Sequence, residues 1–255
     1  MTTTYARYPS LNDRAVLITG GATGIGATLV EAFAAQGARV GFIDIDAPAG
    51  EALAARLAGA RHAPAFVRAD LTDIDALDGA IDMLRGRIGP IAALLNNAAN
   101  DQRHSIEATT SESWDAGIRV NLKHQFFAAK NVAADMRAAG SGSIVNFGSV
   151  SWKLKQGGMP VYTTSKAAVQ GLTRSLARDL GPFNIRVNTL VPGWVMTDKQ
   201  VRLWLDDKGR EEIARGQCIN QPLLPEHIAQ MALFLAADDS AMCTAQDFIV
   251  DGGWV

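Results

Sequence analysis

Apolar positions along the chain fall into two alternating rhythms. Residues 14–19, 39–43, 65–68 and 91–95 are short, nearly continuous apolar runs rich in Val, Ile and Leu. Between them, residues 25–36, 48–57 and 74–85 repeat apolar positions every three to four residues, as a helix with one buried face does. Gly37 stops the first of these helices. The predicted order is β-α-β-α-β-α-β. A strand that is apolar throughout has both faces covered, so the alternation demands a parallel sheet with helices on either side. The rhythm continues with a long helix at 113–138, a strand at 143–147, a helix at 162–179, a strand at 186–190, a helix at 226–236 and a last strand at 247–250. No linker, repeat or low-complexity stretch interrupts it. One α/β domain over 1–255 is therefore expected, its sheet doubly wound. Residues 194–223 are the least patterned, with short helical pieces after a strand end, and are expected to form a lid over a ligand.

Charge and composition narrow the function classes. Twenty-four Lys and Arg stand against 26 Asp and Glu, for a net charge of −2. That leaves no polybasic arm and no broad basic face for nucleic acid. No apolar run reaches the ~18 residues of a membrane span. Met1 to Asp13 is polar and lacks the apolar core of a signal peptide, so a cytoplasmic protein is expected. Cys218 and Cys243 show neither metal-ligand spacing nor a disulfide framework. This fits a reducing compartment, and no metal is expected in catalysis.

The first strand runs into Thr19-Gly20-Gly21-Ala22-Thr23-Gly24-Ile25-Gly26 and then a helix. Glycines let the backbone turn tightly and approach a pyrophosphate, and the helix start offers free N–H groups and a positive dipole end. Strand, glycine turn and helix together mark a Rossmann-type dinucleotide site, the alternative being an ordinary tight turn. Asp44 ends the second strand, 18 residues beyond Gly26. A carboxylate there accepts both adenosine ribose hydroxyls and repels a 2′-phosphate. No Lys or Arg lies at 21–23 or 45–50. The expectation is NAD, with NADP disfavoured; a helix-capping or solvent-facing Asp is the alternative.

Tyr162 and Lys166 are spaced i, i+4 and share a helix face. A lysine cation beside a phenol favours the phenolate, so Tyr162 is expected to have a lowered pKa and to act as general base for an alcohol proton. Ser149 is placed to hydrogen-bond the reacting oxygen. The same residues could be a surface Tyr–Lys pair with an unrelated serine.

With the glycine turn, Asn96-Asn97-Ala98-Ala99, Asn121, Ser149 and Tyr162-Thr163-Thr164-Ser165-Lys166, the chain resembles the short-chain dehydrogenase/reductase family from Arg14 to Asp251-Gly252-Gly253. Ser149 stands 13 residues before Tyr162, as that family's pattern requires. The resemblance implies a tetrad of Asn121, Ser149, Tyr162 and Lys166. In it, Lys166 reaches the nicotinamide ribose and Asn121 holds a proton-relaying water. It implies cofactor contacts from Gly20, Thr23, Gly24, Ile25, Gly26, Asp44, Asp70, Leu71, Asn97, Ala98 and Ala99. Tyr162, Lys166, Pro192, Gly193, Val195 and Thr197 complete that set. It also implies a homotetramer. Two positions depart from the family pattern. Ala99 replaces a glycine beside the cofactor, where its methyl is expected to be tolerated, and Trp194 replaces a smaller residue after Pro192-Gly193.

The stretches Asn100-Asp101-Gln102-Arg103-His104 and Asn146-Phe147-Gly148-Ser149-Val150-Ser151-Trp152 are similar to those of bacterial aldose 1-dehydrogenases of the D-xylose, L-arabinose and L-fucose type. A sugar needs several polar partners and an apolar face to stack on. The expected wall is Asn100, Gln102, Ser149, Ser151, Gln156, Tyr162 and Trp194. Trp152 is a second aromatic candidate or a packing residue, and Arg103 and His104 are equally able to pair with surface carboxylates. The expected activity is hydride transfer from C1 of a cyclic pentose or 6-deoxyhexose to NAD, giving the lactone. The alternatives are a 3-oxoacyl or other carbonyl reductase and a non-catalytic NAD-binding protein.

Overall fold

The computed structural model describes residues 5–255; the first four residues of the polar N-terminal stretch lie outside it. Seven strands form one parallel sheet: β1 Ala15–Thr19, β2 Arg39–Asp44, β3 Ala65–Arg68, β4 Ala93–Asn96, β5 Gly142–Phe147, β6 Ile185–Pro192 and β7 Asp247–Val250. Their spatial order is β3-β2-β1-β4-β5-β6-β7. The chain winds outward from β1 in one direction and then returns to add β4 on its other side. The crevice between β1 and β4, at the strands' C-terminal ends, is where this topology leaves room for a ligand.

Because side chains alternate along a strand, β1 feeds two cores. Val16 and Ile18 pack with Leu29, Val30 and Phe33 of α1 (Gly24–Ala35) and with Ile228 and Leu233. Ala15 and Leu17 pack on the opposite face with Leu77, Ile81, Leu84, Val132 and Met136. All of these lie within one or two per cent of complete burial. Each large apolar side chain so buried stabilises the fold by roughly 1.5–3 kcal/mol.

Helix boundaries follow local chemistry. Asp46 caps α2 (Ala47–Arg56), and Asp73 caps α3 (Ile74–Ile88). The predicted long helix starts two residues early, where Thr110 and Ser113 form a reciprocal cap. It is also interrupted. Between α4 (Ser111–Ile118) and α5 (His124–Ala139), residues Arg119–Lys123 form a π-helical turn. There the Asn121 amide donates to the Gly117 carbonyl four residues back, inserting a side chain into the helical ladder. Gly140, in left-handed backbone, ends the helix. Pro160 opens α6 (Pro160–Leu180), two residues before the predicted start.

The unpatterned stretch contains α7 (Asp198–Leu203) and α8 (Asp207–Gly216). Its two ends meet in a β-bridge between Val195 and Leu223. The chain then enters α9 (Pro225–Ala236), which packs along α1.

Candidate active site

One cavity of about 680 Å³ lies over the C-terminal ends of the strands. Its floor at one end is the glycine turn. Gly20 has φ +66°, and a Cβ there would stand 2.7 Å from the Ala98 Cα. A Cβ on Gly26 would stand 1.8 Å from the Gly20 carbonyl oxygen and 2.8 Å from the Asn97 Nδ2. That same amide donates to the carbonyls of Thr19 and Gly20 at 3.1 and 2.8 Å. Thr23, the N-cap of α1, makes no capping hydrogen bond. Its hydroxyl and the first N–H groups of α1 are left for an anion.

Asp44 closes this end. Its carboxylate accepts from the Ala22 and Asp46 amides at 2.9 and 3.1 Å, one on each oxygen. Each oxygen keeps a lone pair for a further donor. Asp70, Leu71 and Thr72 line the wall beyond, and no Lys or Arg does so there. Arg68 is the register partner of Asp44 on β3 but stays off the cavity. A glycine floor that no side chain could replace, an uncapped helix start and an acidic ribose position fit a nicotinamide dinucleotide. Of the residues the sequence assigned to it, only Gly24 is absent from the wall; its Cβ position faces Thr197 Cγ2 at 3.3 Å.

At the other end Ser149, Tyr162 and Lys166 line the same wall. The Lys166 ammonium is buried, donates to the Phe147 carbonyl at 2.7 Å and lies 5.7 Å from the Tyr162 ring centre. A buried ladder fixes the sheet side of α6: Asn96 donates to Asn146, Asn146 to Thr173, and Thr189 to Thr173. Burial pushes the Lys166 ammonium down to about 7, against the opposing charge of Asp101. The expected lowering of the Tyr162 phenol is not found. Burial pushes it up to about 12, although its hydrogen bond with Ser149 pulls the other way. Desolvation of the phenolate, with the Asp101 charge on its side, outweighs Ser149 and Arg103 in the cavity as it stands.

Asn121 lies beneath the wall rather than on it. Its side-chain oxygen accepts the Asn100 N–H at 2.8 Å, and its amide donates to the Asn100 carbonyl at 3.0 Å. Three residues on, His124 is fully buried, and its Nε2 meets the Ala98 carbonyl at 3.1 Å. A carbonyl only accepts, so Nε2 carries the proton. Burial and the Lys166 charge push the His124 imidazole down to about 4. Sequence reasoning passed over His124, though its i, i+3 spacing to Asn121 put both on one helix face.

The expected sugar wall is partly rearranged. Ser149, Ser151, Gln156, Tyr162 and Trp194 line the cavity, whereas Asn100 and Gln102 are exposed and do not. Asp101 and Arg103 take their place. Side chains alternate along an extended stretch, so a pair spaced i, i+2 faces inward and its neighbours face out. Gln200 and Glu212, within the segment 194–223, and Trp254, next to the Asp251-Gly252-Gly253 ending, also join the wall. Trp152 stays outside, under the Lys153 ammonium at 4.8 Å. Among the described residues His104 pairs with no carboxylate; its Nε2 accepts the Val161 N–H at 3.4 Å.

The chain is similar to known proteins along nearly its whole length. Residues 20–255 match the family model described as Enoyl-(Acyl carrier protein) reductase. The chain is 47% identical to "Probable galactose dehydrogenase GalD" of Rhizobium meliloti (strain 1021), covering 99% of both. It is 43% identical to D-xylose 1-dehydrogenase of Caulobacter vibrioides (strain NA1000 / CB15N), covering 98% of both. Among solved structures, a short-chain type dehydrogenase/reductase from Mycobacterium ulcerans superposes with a TM-score of 0.91 at 26% identity, over 96% of this chain and 90% of that one. A metagenomic blue fluorescent protein in complex with NADPH superposes with a TM-score of 0.88 at 30% identity, over 96% and 99%. Agreement that runs the length of the chain in both sequence and fold leaves one assignment: this protein belongs to the short-chain dehydrogenase/reductase family, a family of oxidoreductases.

Proposed function

We propose that the protein is an NAD-dependent aldose 1-dehydrogenase that oxidises C1 of a cyclic pentose, hexose or 6-deoxyhexose to the lactone. One observation carries the substrate class: Ser151, Gln156, Asp101, Arg103 and Gln200 line the same cavity as Tyr162, together with Trp194 and Trp254. Many hydrogen-bonding groups around an aromatic plane suit a ring of hydroxyls with C–H faces, and suit an acyl chain or a steroid poorly. The names of the relatives support the same class. The segment 194–223 is the substrate lid.

In this reading Ser149 donates to the C1 oxygen and steadies its developing charge, and Tyr162 takes the C1 hydroxyl proton. The C1–H bond breaks with its electron pair, and the C1–O bond gains double-bond character. When bound, oxidised nicotinamide would supply the hydride acceptor. Lys166 would hold the cofactor ribose, and its charge favours a phenolate over a phenol. Asn121 and His124 keep the loop after β4 in register under the cofactor.

Asp44 supports NAD: a 2′-phosphate would meet a carboxylate already held in place by two backbone amides. NADH formation at 340 nm across D-xylose, L-arabinose, L-fucose, D-galactose and D-glucose, each with NAD and NADP, tests the reading. Turnover of one or two sugars with NAD is expected. Preference for NADP overturns the Asp44 reasoning, and silence on all sugars with NADH still bound overturns the substrate class. The reading includes a cytoplasmic homotetramer. Trp114 and Phe126, large apolar side chains 39% and 42% exposed on α4 and α5, support the oligomer. Light scattering then gives a particle about four times the 27.1 kDa chain. Among the described residues no helix is long and apolar enough to cross a membrane.

A further inference from the structure

Asp101 and Arg103 line the cavity and also grip the lid. The Asp101 carboxylate accepts from Lys199 Nζ and from Gln200 Nε2, each at 2.6 Å and each on its own oxygen. Lys199 and Gln200 form the first turn of α7. The Arg103 guanidinium lies 5.1 Å from the ring centre of Trp204, the residue that ends α7, and its Nη1 also meets Met159 Sδ. Two side chains on one loop therefore hold both ends of one short helix.

The loop is the firm partner. Asn121 bonds both the N–H and the carbonyl of Asn100, and the His104 N–H donates to the Gly158 carbonyl at 2.8 Å. The six residues of α7 are too few to hold a helix by themselves. They stay over the cavity because something outside holds them there. At the hinge the lid is held by the Val195–Leu223 bridge; at α7 it is held by Asp101 and Arg103. The Asp101 side chain is only 16% exposed, against 48% for Lys199. A partly desolvated pair is screened less than one on the open surface.

We propose that Asp101 and Arg103 are positioning residues that latch α7 closed over the bound sugar, so that the loop forming the sugar's wall also sets closure of the lid. The sugar's identity rests on the aldose reading; the latch itself does not. Lys199 does not line the cavity, so Lys199→Met weakens the latch at its charged pair without altering the wall.

The experiment uses the full chain, with Lys199→Met, Lys199→Arg and Asp101→Asn. Amide hydrogen exchange of residues 198–204, measured without sugar, is expected to rise about fivefold in Lys199→Met and to return to the wild-type rate in Lys199→Arg. With the best sugar, Lys199→Met raises KM by about fivefold while kcat and the NADH Kd stay put, and Lys199→Arg restores KM. Asp101→Asn shows the larger KM rise, because it loses a wall group as well. Wild-type exchange and KM in Lys199→Met overturn the latch. Faster exchange with unchanged KM overturns the coupling to sugar binding. Faster exchange in Lys199→Met, together with a wild type that turns over no sugar, keeps the latch and sinks the aldose reading instead.

Discussion

The glycine-turn end of the cavity is walled by main chain and small residues at the tips of neighbouring strands, whereas the Trp194 end is walled by side chains from distant segments. At the first end Gly20, Gly26 and Asn97 interlock across two adjacent strands, and no atom can be added. At the second, Asp101 and Gln200 meet although 99 residues separate them, and an indole from the lid completes the wall. Main-chain walls accept one ligand shape and are costly to change. Side-chain walls exchange one partner for another at the cost of a contact. A family can therefore keep its cofactor and vary its substrate, and substitutions at the two ends should fail differently.

Tyr162 sits where the two ends join, and its removal gives the largest effect. Tyr162→Phe keeps the ring and its packing but loses the proton acceptor. Turnover is expected to fall about 10³-fold, with NADH affinity by fluorescence titration unchanged. Retained turnover would remove Tyr162 as base and with it the meeting point of the two ends. Gly26→Ala sharpens the contrast from the rigid side. Its methyl collides with the Gly20 carbonyl, so the turn must open. NADH affinity is expected to drop about a hundredfold or more. Wild-type affinity in Gly26→Ala would mean that this floor adapts like the other end.

The rigid end was legible because its rules are local. Strand, glycine turn, helix and a trailing acid stand in order along residues 15–44, and each has one physical reason to be there. Tyr162 and Lys166 were legible through helical spacing. The substrate wall was legible only in part. Ser151, Gln156 and Trp194 follow strand ends and line the cavity. Asn100 and Gln102 did not, because a one-residue choice of phase in an extended loop exchanges the inward and outward side chains. Glu212 lies in the expected lid segment and Trp254 follows the Asp251-Gly252-Gly253 ending, but neither carries a local pattern that aims its side chain inward; tertiary folding does that. The direction of the Tyr162 shift was likewise hidden, since burial is a property of the folded cavity and not of an i, i+4 pair.

His124 tests whether the loop after β4 belongs to the rigid end. Its imidazole is pushed down to about 4 by burial and by Lys166, against an ordinary 6.5. Between those values the unfolded chain binds a proton that the folded chain refuses. Stability is therefore full above about pH 6.5 and falls as pH drops towards 4, by about 3 kcal/mol at the acid end. His124→Gln keeps a donor for the Ala98 carbonyl and has nothing to titrate. Urea unfolding at pH 7 and pH 4.5 should show a smaller acid loss in the variant than in the wild type. Equal losses would place the acid sensitivity elsewhere.

The smallest effect belongs to the adaptable end. Trp194 presents a large apolar side chain where the sugar's ring substituent is expected, and a methyl-bearing 6-deoxyhexose gains more from it than a pentose does. One methyl group in an apolar pocket is worth about 1–3 kcal/mol of discrimination. Trp194→Asn removes that surface and offers an amide instead. The ratio of kcat/KM for L-fucose over L-arabinose is expected to fall about tenfold, with NADH affinity intact. An unchanged ratio would show that Trp194 closes the cavity without reading its contents. A fall in NADH affinity of the same size would show that the two ends are one mechanical unit, and the contrast between them would not stand.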